Sequence, residues 1–401
     1  MKVFIADKIP EKSITELENL GLSVKYQPSA NSTVLDSGLV DVSILIVRST
    51  VVSKKCINNS PNLVLIIRAG AGVNNIDLEV ASKSGIYVAN CPGKNSVAVA
   101  ELTMGLILSL DRRIAENVLD FRKGIWNKAD YSNADGIYGK ILGIIGVGRI
   151  GQEVIKRAKV FGIQIIAWSR SLSQELADEL DITYAETMEE VAAKCDILSV
   201  HLALKPETKK IISKEILIKL RDGALFINTS RAEVVDEDAL FTQVKMGRIR
   251  VGLDVLDDEP EQKQGAIESR FRELEGVYIT HHIGASTNQA QLAVASNVTE
   301  IVRVYLKEGK VLNWVNRCDH TKARWKLVVR HYDKPGVIAN VMMELKKVNI
   351  NAQELENVIF EGKEAACCTI QLDSEPTNQL LSDIRIRQDE IISATLISAN
   401  N

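Results

Sequence analysis

The sequence predicts an α/β chain: two parallel-sheet lobes followed by a small βαββαβ domain. Three observations carry that expectation. Short β-branched runs alternate with amphipathic stretches through most of the chain. A glycine-rich turn at 146–151 sits between an apolar run and a helical pattern. After residue 318 the pattern changes to a compact strand–helix–strand–strand–helix–strand order. At 401 residues the chain exceeds one ordinary core and accommodates two or three domains.

Taken in order, "KVFIAD", "SILIVRS", "LVLIIRAG" and "IYVANCP" read as strands, with "EKSITELENLG" and "NNIDLEVASKSG" as helical segments between them. Strands alternating with helices imply a parallel sheet covered on both faces. Residues 95–124 read as one long helix, N-capped by Asn95 or Ser96. After the polar loop "KADYSNADGIYG" the alternation restarts with "KILGIIG", "RIGQEVIKRAKVFG" and "IQIIAWS". It continues through "DILSVHLA", "ALFINTS", "IRVGLDVL" and "VYIT" to a long helix, "NQAQLAVASNVTEIVRVYLKEG". The polar, basic "NRCDHTKARW" reads as a linker. The segments "WKLVVRHYD", "PGVIANVMMELKKVN", "INAQELENVIF", "EAACCTIQLD", "TNQLLSDIRI" and "IISATLIS" then follow the ferredoxin-like βαββαβ order.

A net charge of −3 argues against a general nucleic-acid binder and gives no attraction to anionic membrane. The start lacks the apolar region of a signal peptide, and the longest apolar runs are about half of a membrane span. The six cysteines show no CxxC spacing and no histidine at ligand spacing. They read as reduced packing residues of a cytoplasmic protein, with no metal site.

Gly146-Val147-Gly148-Arg149-Ile150-Gly151 opens a helix directly after a strand, the context of a dinucleotide-binding Rossmann turn. Gly146 allows the tight turn, Gly148 lets backbone approach a pyrophosphate, and Gly151 seats the helix close to the strand. The helix N-terminus offers free N–H groups to the phosphates. Ser169 stands at the end of the next strand, where an acid would bond the adenosine ribose and repel a 2′-phosphate. With Arg170 and Ser171 beside it, the residues leave NAD and NADP both open.

Three residues could do chemistry. Arg231 follows the run "LFIN", Glu259 closes "DVLDDEP", and His282 sits in "THHIGAS", so Arg231 and His282 stand at strand ends where α/β sites form. An arginine fork matches a carboxylate, and a histidine beside a carboxylate can move a proton near neutral pH. Arg231 could instead pair with Asp236, Glu259 could be a solvated turn residue, and either His281 or His282 could face the site. Arg48 follows the strand "ILIV" at its C-terminal end, which also favours a site role.

At these residues the chain resembles the D-isomer-specific 2-hydroxy acid dehydrogenases, most of all phosphoglycerate dehydrogenases with a C-terminal ACT domain. The resemblance rests on "RAGAGVNNID" (68–77), "NSVAVAELTMGLIL" (95–108), "GIIGVGRIG" (143–151), "INTSRAEVVDEDAL" (227–240), "LDVLDDEP" (253–260) and "HHIGASTNQAQ" (281–291). It implies two Rossmann-like or flavodoxin-like lobes plus the ferredoxin-like domain. The substrate lobe would be 1–98 with 285–317, the dinucleotide-binding Rossmann domain 99–284, and the regulatory ACT domain 318–401.

The resemblance also implies roles. Arg231 would bind the substrate carboxylate and carbonyl, His282 would be the general acid/base, and Glu259 its carboxylate partner. Asp254 would lie near the nicotinamide carboxamide, Arg149 and Ile150 at the pyrophosphate, and Pro206 and Thr208 near the adenosine. The backbone of Gly70, Ala71, Gly72 and Val73 would hold the substrate carboxylate. Arg48 matches a position used for a phosphorylated acid, with Arg68 and Lys128 as further candidates. His331 and Asn349 match an L-serine effector site between paired ACT domains, where Asp333 stands in place of a common asparagine, with a homodimer or homotetramer as the assembly.

Ala232, His281 and Ser169 depart from the family's usual glycine, proline and acid. The implied reaction interconverts 3-phosphoglycerate and 3-phosphohydroxypyruvate with NAD, at the entry to L-serine synthesis. An NADPH-dependent glyoxylate or hydroxypyruvate reductase is the alternative within the class. A dinucleotide-sensing corepressor-like binding protein is the alternative outside it.

Overall fold

The computed structural model describes residues 1–260, 265–318, 323–386 and 389–398. Its contacts divide the chain into two compact units, Met1–Asn316 and Arg317–Asn401. Residues 319–322, inside the stretch read as a linker, lie outside the described residues.

The first unit holds two sheets. Strands β1 (Lys2–Ile5), β2 (Ser23–Tyr26), β3 (Ile44–Val47), β4 (Leu65–Arg68) and β5 (Tyr87–Asn90) form a sheet in the order β2-β1-β3-β4-β5. All its pairings are parallel. The run Ile44-Leu45-Ile46-Val47 is buried at every position, as a strand covered on both faces requires. One face packs on the long helix Asn288–Glu308 through Val298, Ile301 and Val302. That helix starts at Thr287, whose side chain accepts from the Ala290 N–H, and stops at Gly309 in the left-handed region.

The second sheet contains β6 (Ile141–Ile145), β7 (Gln164–Trp168), β8 (Thr183–Tyr184), β9 (Ile197–Val200), β10 (Ala224–Asn228), β11 (Ile249–Leu253) and β12 (Val277–Ile279). Its order is β12-β11-β10-β9-β6-β7-β8, again parallel throughout. The order reverses between β6 and β9, which is where such sheets open a ligand crevice at their carboxyl edge. Helix Arg149–Val160 seats Gly151, Val154, Ile155 and Ala158 in the core, the spacing of one helical face.

The expected single helix over 95–124 is two. Helix Ser96–Arg112 buries Ala100, Met104, Ile107 and Leu110 against the second sheet. It ends at Arg113, which adopts a left-handed conformation (φ 49°). A second helix, Ile114–Arg122, follows with none of its residues buried. The apolar spacing persists past Arg112, but the chain offers it nothing to pack on.

The second unit is an antiparallel sheet of β13 (Trp325–Tyr332), β14 (Ala352–Ile359), β15 (Ala365–Leu372) and β16 (Ile391–Ser398), in the order β14-β15-β13-β16. Alternate residues of β15 are buried: Ala366, Cys368, Ile370 and Leu372. Helices Val337–Lys347 and Asn378–Ile386 cover that face through Val341, Leu345, Leu380 and Ile384, so one face is apolar and the other is not. No helix among the described residues is long and apolar enough to cross a membrane.

Candidate active site

The glycine turn lies at the switch point between β6 and β9. Gly146 takes φ +101°, and a Cβ there would come within 2.5 Å of the His201 carbonyl oxygen. A Cβ on Gly151 would collide with the Gly146 carbonyl, whereas Gly148 faces open space. The first and third glycines are therefore required by packing, and the second leaves room for an approaching group. This cradle at a helix N-terminus fits a dinucleotide pyrophosphate. Ile150 is partly buried against the core beneath it. Arg149 reaches out of the turn and donates to the Pro92 carbonyl at 2.6 Å, where the chain passes from the first sheet into helix Ser96–Arg112.

Ser169 follows β7, and the preceding Trp168 carbonyl accepts from the Gly146 N–H at 2.8 Å, so Ser169 stands next to the glycine turn. Arg170 lies 3.5 Å from Glu207, and Lys205 lies 3.9 Å from the same carboxylate. Glu207 belongs to the short turn Pro206–Thr208, which Thr208 closes by donating to the Ala203 carbonyl at 2.7 Å. Glu207 and Lys205 are residues that the sequence reading missed. Their signal was only charge near an expected adenosine contact.

The catalytic candidates meet at the carboxyl ends of β10, β11 and β12. His282 Nδ1 lies 2.8 Å from Glu259 Oε2, which answers which of the two histidines pairs with the acid. A carboxylate only accepts, so Nδ1 carries the hydrogen and Nε2 is left to give or take a proton. Burial would push the Glu259 carboxyl up. The hydrogen bond and charge of His282, the Leu256 N–H and the Arg231 guanidinium outweigh it and hold Glu259 below the usual carboxylate range.

His282 adopts φ +51°, an uncommon state for a side chain with a Cβ. Asp254 holds that conformation. Its carboxylate accepts from the Ile283 and Gly284 N–H groups, each at 2.8 Å, and from the Thr280 hydroxyl at 2.6 Å. Asp254 is 1% exposed, so these bonds form away from water.

Arg231 is presented by a turn that Asn228 shapes. Asn228 Nδ2 donates to the Arg231 carbonyl, and its Oδ1 accepts from the Ser230 N–H and hydroxyl. Arg231 Nη1 donates to the Ser230 carbonyl at 2.6 Å. Asp236 instead caps helix Glu237–Lys245, so the alternative Arg231–Asp236 pair is not made. A Cβ on Gly72 would come within 2.5 Å of Arg231 Nη2. Glycine at 72 lets the guanidinium lie this close to the 69–73 backbone without shifting. Asn90 steadies that backbone by donating to the Ala71 carbonyl at 2.6 Å.

Arg68, the last residue of β4, lies over Gly70, where a Cβ would collide with its guanidinium. Its Nε is buried, with no hydrogen-bond partner among the described residues. Burial, then the neighbouring Arg231 and Arg48 guanidiniums, push Arg68 down to about 10. Arg48 Nη2 reaches the Ser286 hydroxyl at 3.5 Å, four residues past His282. Arg48 and Arg231 thus both act on Arg68, one from each sheet, and Val73 packs against the core of the first sheet.

One predicted residue, Lys128, is not brought here. Lys128 is exposed on a loop whose Tyr131 stacks on Arg113, at the far end of helix Ser96–Arg112. That helix has 17 residues, so Arg113 is about 25 Å from the cleft end. In the second unit His331 is 2% exposed, and its ring nitrogens face the Tyr332 carbonyl (2.7 Å) and Asn357 Oδ1 (3.2 Å). Asp333 and Asn349 are exposed on loops, Asn349 at φ +57°.

A turn that fits a dinucleotide and an Arg–Glu–His group beside it define the class: a two-lobed α/β protein built for nicotinamide-dependent chemistry. Residues 104–284 match the family model described as D-isomer specific 2-hydroxyacid dehydrogenase, NAD binding domain. The chain is 32% identical over 402 aligned positions to a D-3-phosphoglycerate dehydrogenase of Methanocaldococcus jannaschii, covering 100% of this chain and 75% of that one. It spans 58% to 67% of six further curated relatives of that name. It is 38% identical over 262 residues to a hydroxypyruvate reductase of Thermotoga maritima, covering 65% of this chain and 83% of the relative. A solved glyoxylate reductase from Paecilomyes thermophila aligns with a TM-score of 0.70 and 27% identity, over 79% of this chain and 98% of that one. The chain belongs to the D-isomer specific 2-hydroxyacid dehydrogenases, a family of oxidoreductases.

Proposed function

We propose that the protein interconverts 3-phosphohydroxypyruvate and 3-phosphoglycerate with a nicotinamide dinucleotide, the entry to L-serine synthesis. The observation that carries this reading is the pairing of His282 with Glu259 at a sheet edge where Arg231 lies against Gly72, Arg68 lies over Gly70 and Arg48 reaches Ser286. Residues 1–98 with 285–317 act as the substrate lobe and 99–284 as the dinucleotide domain. Arg231 and the backbone of 70–73 hold the substrate carboxylate. Arg48 and Arg68 take the phosphate, and a cluster of cations without that second anion would be costly to keep together. His282, charged through Glu259, gives its Nε2 proton to the carbonyl oxygen, and in reverse takes the hydroxyl proton. The nicotinamide, when bound, supplies or accepts the hydride.

Supporting the phosphorylated substrate, relatives of that name match across nearly the whole chain. A glyoxylate or hydroxypyruvate reductase is the second reading, favoured by Ser169 and Arg170 at the ribose position and by the Thermotoga maritima relative. Initial rates on 3-phosphohydroxypyruvate, hydroxypyruvate and glyoxylate, each with NADH and NADPH, separate the two.

We infer three further properties. The protein works in the cytoplasm. It assembles through the uncovered helix Ile114–Arg122 and the adjoining Trp126, 83% exposed, so light scattering should give at least a dimer. Residues 318–401 act as an ACT domain answering L-serine. Millimolar serine should lower the initial rate, and an unchanged rate removes the effector.

A further inference from the structure

Asp7 follows β1 at the carboxyl edge of the first sheet, next to β3 in the sheet order. It is 2% exposed. Its Oδ2 accepts from three successive backbone N–H groups: Arg48 at 2.7 Å, Ser49 at 3.0 Å and Thr50 at 3.0 Å. Its Oδ1 accepts from the Ser49 hydroxyl at 2.9 Å. One buried carboxylate therefore fixes the whole turn that leaves β3. Arg48 is the first residue of that turn, and its guanidinium points at Ser286, beside the His282 loop.

Burial would raise the Asp7 carboxyl, but the Arg48 and Thr50 N–H groups and the Thr50 and Ser49 hydroxyls outweigh it and hold it low. The group is thus a permanent anion in the range where the enzyme would work. Asp7 also acts favourably on the Arg68 guanidinium, against the repulsion of Arg231 and Arg48. A turn of three residues with no such anchor would let the long Arg48 side chain sample many directions, and the ordering would then be charged to substrate binding.

We propose that Asp7 is a positioning residue for substrate specificity: it sets the turn that aims Arg48 at the distal anionic group of the substrate. This rests on the reading of a phosphorylated substrate. Asp7 touches neither substrate nor cofactor and acts through Arg48.

The test uses the full-length protein with saturating NADH and compares kcat/KM for 3-phosphohydroxypyruvate with that for hydroxypyruvate. Asp7→Ala should lower that ratio about tenfold, through KM, because hydrogen bonds to a charged group are each worth about a factor of ten. The kcat values should stay within about threefold. In an Arg48→Ala background, Asp7→Ala should leave the ratio where Arg48→Ala alone puts it, the non-additivity of residues acting as a unit.

An equal loss for both substrates, or an undiminished effect without Arg48, overturns the proposal. If Arg48→Ala lowers the ratio and Asp7→Ala does not, the positioning role fails and the substrate reading stands. If Arg48→Ala itself leaves the ratio unchanged, the substrate reading falls and takes this role with it. Should Asp7→Ala not fold, Asp7→Asn keeps the volume and a carbonyl for the N–H groups. It should lower the ratio about threefold only when Arg48 is present, as weaker neutral hydrogen bonds imply. An unchanged ratio in that variant also overturns the proposal.

Discussion

The two parallel sheets of the first unit end in the same device and use it differently. At the edge of the first, buried Asp7 gathers the N–H groups of residues 48–50. At the edge of the second, buried Asp254 gathers those of 283 and 284 with the Thr280 hydroxyl. Each carboxylate fixes a loop that would otherwise carry unsatisfied donors. The loops present different chemistry. Asp7 holds the turn that carries Arg48, whereas Asp254 holds the turn that carries the His282 ring at φ +51°, an uncommon state for a residue with a Cβ. In the proposed reaction the first edge binds and the second moves a proton, so damage to the first should appear in KM and damage to the second in kcat.

The largest effect should come from the proton-moving edge. His282→Ala should lower kcat by about 10²–10⁴-fold, the usual worth of a positioned acid/base, with cofactor affinity by fluorescence titration nearly unchanged. Parallel loss of cofactor binding would mean that the loop, not the proton, was lost.

The next effect is on stability and belongs to the second sheet alone. His201 follows β9, with Nε2 2.9 Å from the Ser199 hydroxyl and a buried Nδ1. Burial pushes its ring down to about 4. The unfolded ring takes a proton near 6.5 and the folded ring only near 4, so stability is full above 6.5 and is lost as pH falls toward 4. The loss is about 3 kcal/mol. Urea midpoints at pH 7 and pH 5 should diverge, and His201→Gln should shrink the difference.

Asp254→Asn sharpens the contrast with Asp7. It should lower kcat about tenfold for phosphorylated and unphosphorylated substrates alike, as the loss of one charge-assisted bond predicts. A change confined to KM for the phosphorylated substrate would merge the two edges into one function. The smallest effect concerns the cofactor. Glu207→Gln releases Arg170 and Lys205 and should raise kcat/KM for NADPH relative to NADH about two- to fivefold, the scale of exposed ion pairs. A fall in that ratio would remove both cations from the 2′ position.

Much of this was legible in the chain. Short β-branched apolar runs such as "ILIV" between turn signals read as strands covered on both faces, and the glycine turn announces its sheet's switch point. Arg231, Glu259 and His282 were readable as chemistry because they close or follow strands. What was not legible depends on partners distant in sequence. Asp7 closes "VFIAD" in plain sight, but its donors lie about forty residues on. The choice of His282 over His281 is made by Glu259 from 23 residues upstream. The break at Arg113 was hidden because an apolar helical spacing continues through Phe121. That spacing indicates a face but not whether anything covers it, and Phe121 is 70% exposed. Lys128 was placed at the site by resemblance, and the length of helix Ser96–Arg112 carries it away.

In the proposed reaction a nicotinamide reduces a phosphorylated 2-oxo acid that Arg231, Arg48 and Arg68 hold and His282 protonates. The most direct measurement is the initial rate of NADH oxidation with 3-phosphohydroxypyruvate set against hydroxypyruvate and glyoxylate. A kcat/KM at least about tenfold higher for the phosphorylated acid is predicted, since one well-placed charge-assisted contact is worth that much. Equal or greater efficiency on either unphosphorylated acid would contradict it.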